Sequence, residues 1–168
     1  KITEMHNSKS KDIDQKPTLE ILKIINEEDK LVAEAVESSL NDIKYFIEPA
    51  TEKVKKGGKF FYLGSGTSGR LGVLDASECP PTFSVDTSLF QGIIAGGNDA
   101  LVKSIEGAED SLDDGRKAII ENEINGKDIV LGISASGSTP FVLSALKKAQ
   151  ELGALTGLIS CNKIIKPD

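Results

Sequence analysis

The sequence predicts an α/β fold, with a mostly parallel sheet covered by helices on both faces and preceded by N-terminal helices. Short continuous apolar runs recur at residues 59–63, 89–95, 128–133 and 155–160, and helical patterns separate them. An apolar run of that length bounded by turn residues is the pattern of a strand buried on both faces. Strands alternating with helices make βαβ units with right-handed crossovers, and hence a parallel sheet. Two of the runs also end in unusually glycine- and hydroxyl-rich turns.

Residues 1–15 are polar and read as an extended arm ending before Pro17. Leu19, Leu22 and Ile25 follow at helical spacing as far as Asn26. Glu27-Glu28-Asp29 then opens a second, longer helix through Val32, Val36, Leu40, Ile43 and Ile47, its acidic first turn suiting the helix dipole. After Gly57-Gly58, Lys59-Phe60-Phe61-Tyr62-Leu63 is the first strand. The helix that follows ends at Asp75-Ala76-Ser77-Glu78-Cys79-Pro80-Pro81, where the double proline predicts an extended exit. Helical text over 100–122 precedes the third strand, and over 140–152 the fourth. Residues 16–168 read as one domain, and no repeat or low-complexity tract interrupts them.

Composition narrows the class. With 168 residues, 39% of them hydrophobic, the chain buries about two-thirds of its unfolded surface without needing staples. The formal charge of −6 and the lack of a basic stripe speak against nucleic acid and anionic membrane as partners. No run approaches the roughly 20 apolar residues of a membrane helix. Without a signal-peptide pattern the expected location is cytoplasmic. Cys79 and Cys161 lack CxxC spacing, so neither metal binding nor a redox relay is supported, and His6 reads as a surface residue of the arm.

Ligands of open α/β sheets bind beyond the carboxyl ends of the strands. Gly64-Ser65-Gly66-Thr67-Ser68-Gly69-Arg70 and Ser134-Ala135-Ser136-Gly137-Ser138-Thr139-Pro140 each follow a strand and open a helix. Backbone N–H groups in such loops approach an anion closely, hydroxyls add donors, and the helix contributes its positive end, so a phosphate is the natural guest. Neither loop has nucleotide-loop spacing, GxxxxGK[ST] or a full GxGxxG with its distant acid. Tight βα turns alone would need one or two glycine or hydroxyl residues, whereas these loops carry five or six. Carboxylates supply the acid and base candidates, in the segment of Asp75 and Glu78 and in Glu106-Gly107-Ala108-Glu109-Asp110, expected near the end of a helix.

The block from Gly64 through Arg70, Leu71-Gly72-Val73-Leu74-Asp75-Ala76-Ser77-Glu78-Cys79-Pro80-Pro81 and Thr82-Phe83 resembles the signature of the N-acetylmuramic acid 6-phosphate etherases, members of the sugar isomerase (SIS) domain superfamily. Ordered satellites accompany it: Thr3-Glu4 with Asn7, Ile13-Asp14, Ile24-Ile25-Asn26, Glu28-Asp29, Ile94-Ala95-Gly96-Gly97, the Glu106 to Asp110 segment, Ala135-Ser136-Gly137 with Thr139-Pro140, and Ile159-Ser160-Cys161-Asn162. The resemblance implies a three-layer αβα SIS-type domain and removal of the D-lactyl ether from N-acetylmuramic acid 6-phosphate, by elimination and then water addition, in cell-wall amino-sugar recycling. It implies no metal or organic cofactor, and a homodimer in which the neighbouring subunit completes each cleft. Glu78 matches the acid that protonates the departing lactate oxygen, and Glu109 the second carboxylate, the expected carbon-2 base. Their pKa values are expected to be raised by burial in a closed cleft. Ser65, Gly66, Thr67, Ser68, Ser134, Ser136, Gly137, Ser138 and Thr139 are expected to hold the sugar phosphate, the second loop being the stronger phosphate candidate.

Etherases of the family continue with another strand and a helical region, so the resemblance implies that these residues are the N-terminal portion of such a protein. Two rivals share the fold. A non-catalytic sugar-phosphate sensor resembling glucokinase regulatory protein needs neither Glu78 nor Glu109, and the block from Asp75 to Phe83 argues against an aldose–ketose isomerase.

Overall fold

The computed structural model describes residues 2–162. Two compact units are distinguished, one through Glu48 and one from Pro49 onward. In the first unit the polar N-terminus is not extended. It forms three short 3-10 turns, Ile2–Glu4, Ser8–Ser10 and Ile13–Gln15, and Asn7 and Lys9 both bond the Glu28 carboxylate.

Helix α1 (Thr18–Glu37) is continuous through the expected break at Asn26, and α2 (Leu40–Lys55) follows after Ser38-Ser39. Glu27, Glu28 and Asp29 are all compatible with a helix interior, and Lys30 pairs with Glu27 along it. The interruption falls instead where two serine hydroxyls compete for the Ala35 carbonyl.

The second unit holds β1 (Phe60–Gly64), α3 (Gly66–Phe83), β2 (Phe90–Ile94), α4 (Leu112–Glu121), β3 (Ile129–Ile133), α5 (Pro140–Glu151) and β4 (Leu155–Ile159). All four strands are parallel, in the order β2-β1-β3-β4. Alternation along β1 sends Phe61 and Leu63 to one face, where they pack with Ile93, Val130, Ile119 of α4, and Phe141, Val142 and Ala145 of α5. Phe60 and Tyr62 take the other face, where Phe60 meets Phe90 and Gly72 of α3 lies against Tyr62. Helices therefore lie on both faces, as an apolar parallel sheet requires.

Two boundaries differ from the sequence reading. α3 runs through Pro80 and Pro81 and stops at Ser84, whose left-handed φ of 55° turns the chain. Proline φ is already helical, and although each ring removes one N–H that would bond the carbonyl four residues earlier, the pair falls in the last turn, where the helix ends within three residues. The helical pattern at 100–122 is realised only from Leu112. Before it lie 3-10 turns at Asn98–Leu101 and Ala108–Asp110, with Gly107 between at φ 72°, a conformation that ends helical continuation.

At the amino end of the sheet, buried Asp128 accepts from the backbone N–H of Lys59 and of Asn125, both at 2.9 Å, fastening the start of β1 to the turn before β3. Asp128→Ala leaves two donors facing a carboxylate-sized gap. Urea unfolding of the variant is expected to show a loss of about 3 kcal/mol, and a loss under about 1 kcal/mol would remove this role from Asp128.

Candidate functional site

The register sets Gly64, Ile94, Ile133 and Ile159 level at the carboxyl ends of their strands: Gly64 pairs with both Ile94 and Ile133, and Ile133 with Ile159. Four loops therefore start side by side. The chain leaves β1 toward β2 on one side and returns to β3 on the other, so the loops after β1 and β3 flank the point where the winding reverses, the usual ligand crevice of such sheets.

In the first loop, Ser65 is the N-cap of α3, and Gly66, Thr67 and Ser68 lie in the helix's first turn. Gly69 is buried there because α3 starts hard against the strand it leaves. A Cβ at Gly69 would stand 2.6 Å from Ile94 Cγ1 and 2.8 Å from the Gly64 carbonyl oxygen. The Ser65 hydroxyl does not cap the helix. It donates to Glu109 Oε2 at 3.3 Å, across 44 residues of sequence. These groups line a cavity of about 310 Å3 with Gly66, Arg70, Lys103, Ser104 and Glu106. Glu109 stands in the turn just before α4, not at the end of a helix, because Gly107 interrupts the pattern.

The second loop is a chain of hydroxyls. Ser134, buried, bonds Thr139 Oγ1 at 2.8 Å and Ser136 Oγ at 3.4 Å, and Ser136 bonds Ser138 Oγ at 3.1 Å. The N–H groups of Gly137 and Ser138 donate to Ser134 Oγ and Ser136 Oγ. Thr139 is the N-cap of α5 and Pro140 its first residue, which leaves helix-end donors in the same place. The loop is braced from β4, since the Ala135 carbonyl accepts from the Cys161 N–H and Asn162 Nδ2, both at 3.0 Å, and from the Ser160 hydroxyl at 3.3 Å.

Glu78 is not in the cavity of Glu109. It lines a second, more open cavity of about 470 Å3 with Tyr62, Leu71, Gly72, Leu74, Asp75 and Ile133. Both glutamates are exposed, so the closed cleft expected around them is absent from the single chain. Beside Glu78, burial first and then the Asp75 carboxylate, bonded to it and charged, push the Tyr62 phenol well above its ordinary range. Burial, with Asp75 adding, raises the Cys79 thiol. Sequence reasoning passed over Arg70, Lys103 and Tyr62 as site residues. Arg70 carried a visible signal, as the one cation in the first glycine-rich run. Among the described residues no group of acids, cysteines or histidine is arranged to hold a metal, and no helix is long and apolar enough to cross a membrane.

A family model, the glucokinase regulatory protein N-terminal SIS domain, matches residues 42–150. The N-acetylmuramic acid 6-phosphate etherase of Clostridium botulinum is 54% identical over 159 residues, covering 95% of this chain and 53% of its own. The protein of the same name from Caldanaerobacter subterraneus is 51% identical over 162 residues, covering 96% and 53%. The chain thus spans about half the length of the curated relatives it matches. A phosphoheptose isomerase from Neisseria gonorrhoeae superposes at 18% identity with a TM-score of 0.48, over 82% of this chain and 75% of that one.

Two outcomes follow from this geometry. Ser134→Ala removes the hydroxyl that links Thr139, Ser136 and Gly137, and calorimetry with a hexose 6-phosphate is expected to show affinity lower by about tenfold, the worth of one or two hydrogen bonds. Unchanged affinity would remove this loop as a phosphate site. Exposed Cys161 is expected to take up iodoacetamide at pH 8 while buried Cys79, short of thiolate at that pH, stays unlabelled until the chain unfolds.

Proposed function

Because the chain belongs to the family of the glucokinase regulatory protein N-terminal SIS domain, we propose that its site binds a phosphorylated amino sugar and cleaves it as an N-acetylmuramic acid 6-phosphate etherase, a carbon–oxygen lyase of cell-wall sugar recycling. The observation that carries this reading is the meeting of Ser65 and Glu109 in one cavity, in a chain about half identical to etherases over nearly all its length. A carboxylate among sugar-binding hydroxyls has work in proton abstraction that simple binding does not require.

The phosphate sits on the hydroxyl loop from Ser134 to Thr139, and the open-chain sugar extends toward the first loop. Glu109 takes the proton from carbon 2, next to the aldehyde, where the resulting negative charge is delocalised. The electron pair then expels the carbon-3 oxygen of the lactyl ether. An alkoxide is a poor leaving group, so Glu78 delivers a proton to that oxygen as the bond breaks. D-lactate departs and leaves a carbon 2–carbon 3 double bond. Glu78, now a carboxylate, accepts a proton from water as its oxygen adds to carbon 3, and the proton returned to carbon 2 gives N-acetylglucosamine 6-phosphate. The chemistry uses no metal or organic cofactor.

Within one chain Glu78 and Glu109 line separate cavities. The acid and base of one reaction therefore come from two copies, in a cytoplasmic homodimer whose pairing closes the cleft around the carboxylates. Exposed Leu71, Leu74 and Phe83, on the helix that bears Glu78, supply apolar surface for that contact. The match to the glucokinase regulatory protein domain favours one other reading, a sensor that binds the same sugar phosphate without turning it over.

D-lactate release from N-acetylmuramic acid 6-phosphate separates the two, assayed with the chain extended to its relatives' length. In that protein Glu78→Gln is expected to cut lactate release by about 10²- to 10⁴-fold, the usual worth of a general acid, while N-acetylglucosamine 6-phosphate still binds. Tight binding with no lactate from the unaltered protein would install the sensor.

A further inference from the structure

We infer that Arg70 is a positioning residue whose guanidinium, bridging the carbonyls of Leu101 and Lys103, holds in place the irregular stretch that delivers Glu109 to Ser65. The inference rests on the reading of Glu109 as the carbon-2 base.

Arg70 lies in the opening turns of α3, five residues after Ser65. Its Nε donates to the Leu101 carbonyl at 3.1 Å and its Nη2 to the Lys103 carbonyl at 3.0 Å. Among the described residues it makes no ion pair with a carboxylate. Arginine in the first turns of a helix sits at the unfavourable, positive end of the dipole, and an unpaired charge there is not a stability device. Two aligned backbone carbonyls explain why it is tolerated.

The stretch it grips has little other support. The Lys103 N–H bonds the Asp99 carbonyl, but residues 104–107 donate no backbone hydrogen bond to another backbone group among the described residues. Ile105 rests over Gly96, where an added Cβ would stand 3.1 Å from the isoleucine Cβ. Between that contact and Glu109 the chain passes through Gly107, with φ at 72°. Ala108 on the core and the Ser111 cap of α4 hold the turn of Glu109 itself, and its N-terminal approach is set by Ile105 and by the guanidinium. Arg70 also lines the same cavity as Ser65, Glu106 and Glu109, so a change in its grip is felt where the substrate lies.

Only a planar guanidinium spans two carbonyls with separate donors. Lysine offers a point charge that reaches one of them. The grip acts on geometry, so its loss should appear in kcat more than in KM, since displacement of a reacting group by about 1 Å costs up to about 10²-fold.

The test uses the protein at its relatives' full length, with Arg70→Gln and Arg70→Lys, following D-lactate release and amide hydrogen exchange together. Arg70→Gln is expected to lower kcat by about 10- to 100-fold with KM moved less than about threefold. Amides of residues 102–109 should exchange faster while those of the sheet do not, and Arg70→Lys should recover part of both effects. Unaltered exchange in 102–109, or a raised KM at unchanged kcat, would overturn the inference, the second because it would put the guanidinium on the substrate itself. If Arg70→Gln does not fold, the same two readings on Arg70→Lys decide. If the unaltered protein releases no lactate, the etherase reading fails instead, and exchange in 102–109 still tests the grip of Arg70.

Discussion

Parallel pairing in register places Gly64, Ile94, Ile133 and Ile159 at one level of the sheet, and the glycine- and hydroxyl-rich loops start from that line. Adjacent strands stand about 4.8 Å apart, so the loops leaving neighbouring strands start within a few ångströms of one another. The pairing is anchored at the far end, where the Asp128 carboxylate ties Lys59 to Asn125. A slip of one residue would turn Phe61 and Leu63 away from α5 and shift every loop along the edge. Core packing and site geometry therefore depend on the same hydrogen bonds.

The two loops are built in different ways. After β3 there is no cation, only hydroxyls bonded to one another and the start of α5, with the Ala135 carbonyl fixed by three donors from residues 160–162. After β1 the strand and helix press so closely that only glycine fits at position 69, and the serine at the turn reaches outward to Glu109. A site of hydroxyls and helix ends suits a doubly charged phosphate without the desolvation cost of buried lysine or arginine.

The separation of Glu78 from Glu109 has a simple cause. Glu78 lies three turns along α3, on the side of the helix with Leu71, Leu74 and Asp75, whereas Glu109 approaches the first turn of α3 from the loops after β2. At 1.5 Å per residue, the 13 residues from Ser65 to Glu78 carry the second carboxylate about 20 Å along the helix. No bend in α3 returns it, which is why the proposed reaction calls on a second copy.

Much of this was legible in the amino acids. Four apolar runs bounded by turn residues announced the strands, and two glycine- and hydroxyl-rich turns announced the tight passages from β1 into α3 and from β3 into α5, because burial and close backbone approach each demand particular residue types locally. The block around Glu78 announced the family for the same reason. Local pattern misjudged α1, continuous past Asn26, and α3, continuous through Pro80 and Pro81, since helical compatibility and a true stop differ only by what neighbouring groups satisfy. The grip of Arg70 on Leu101 and Lys103 and the meeting of Ser65 with Glu109 join residues 31 to 44 positions apart. Those contacts, and the placing of the two glutamates in different cavities, were decided only by the folded chain. They depend on strand order and on helix length in three dimensions, and no local residue pattern encodes either.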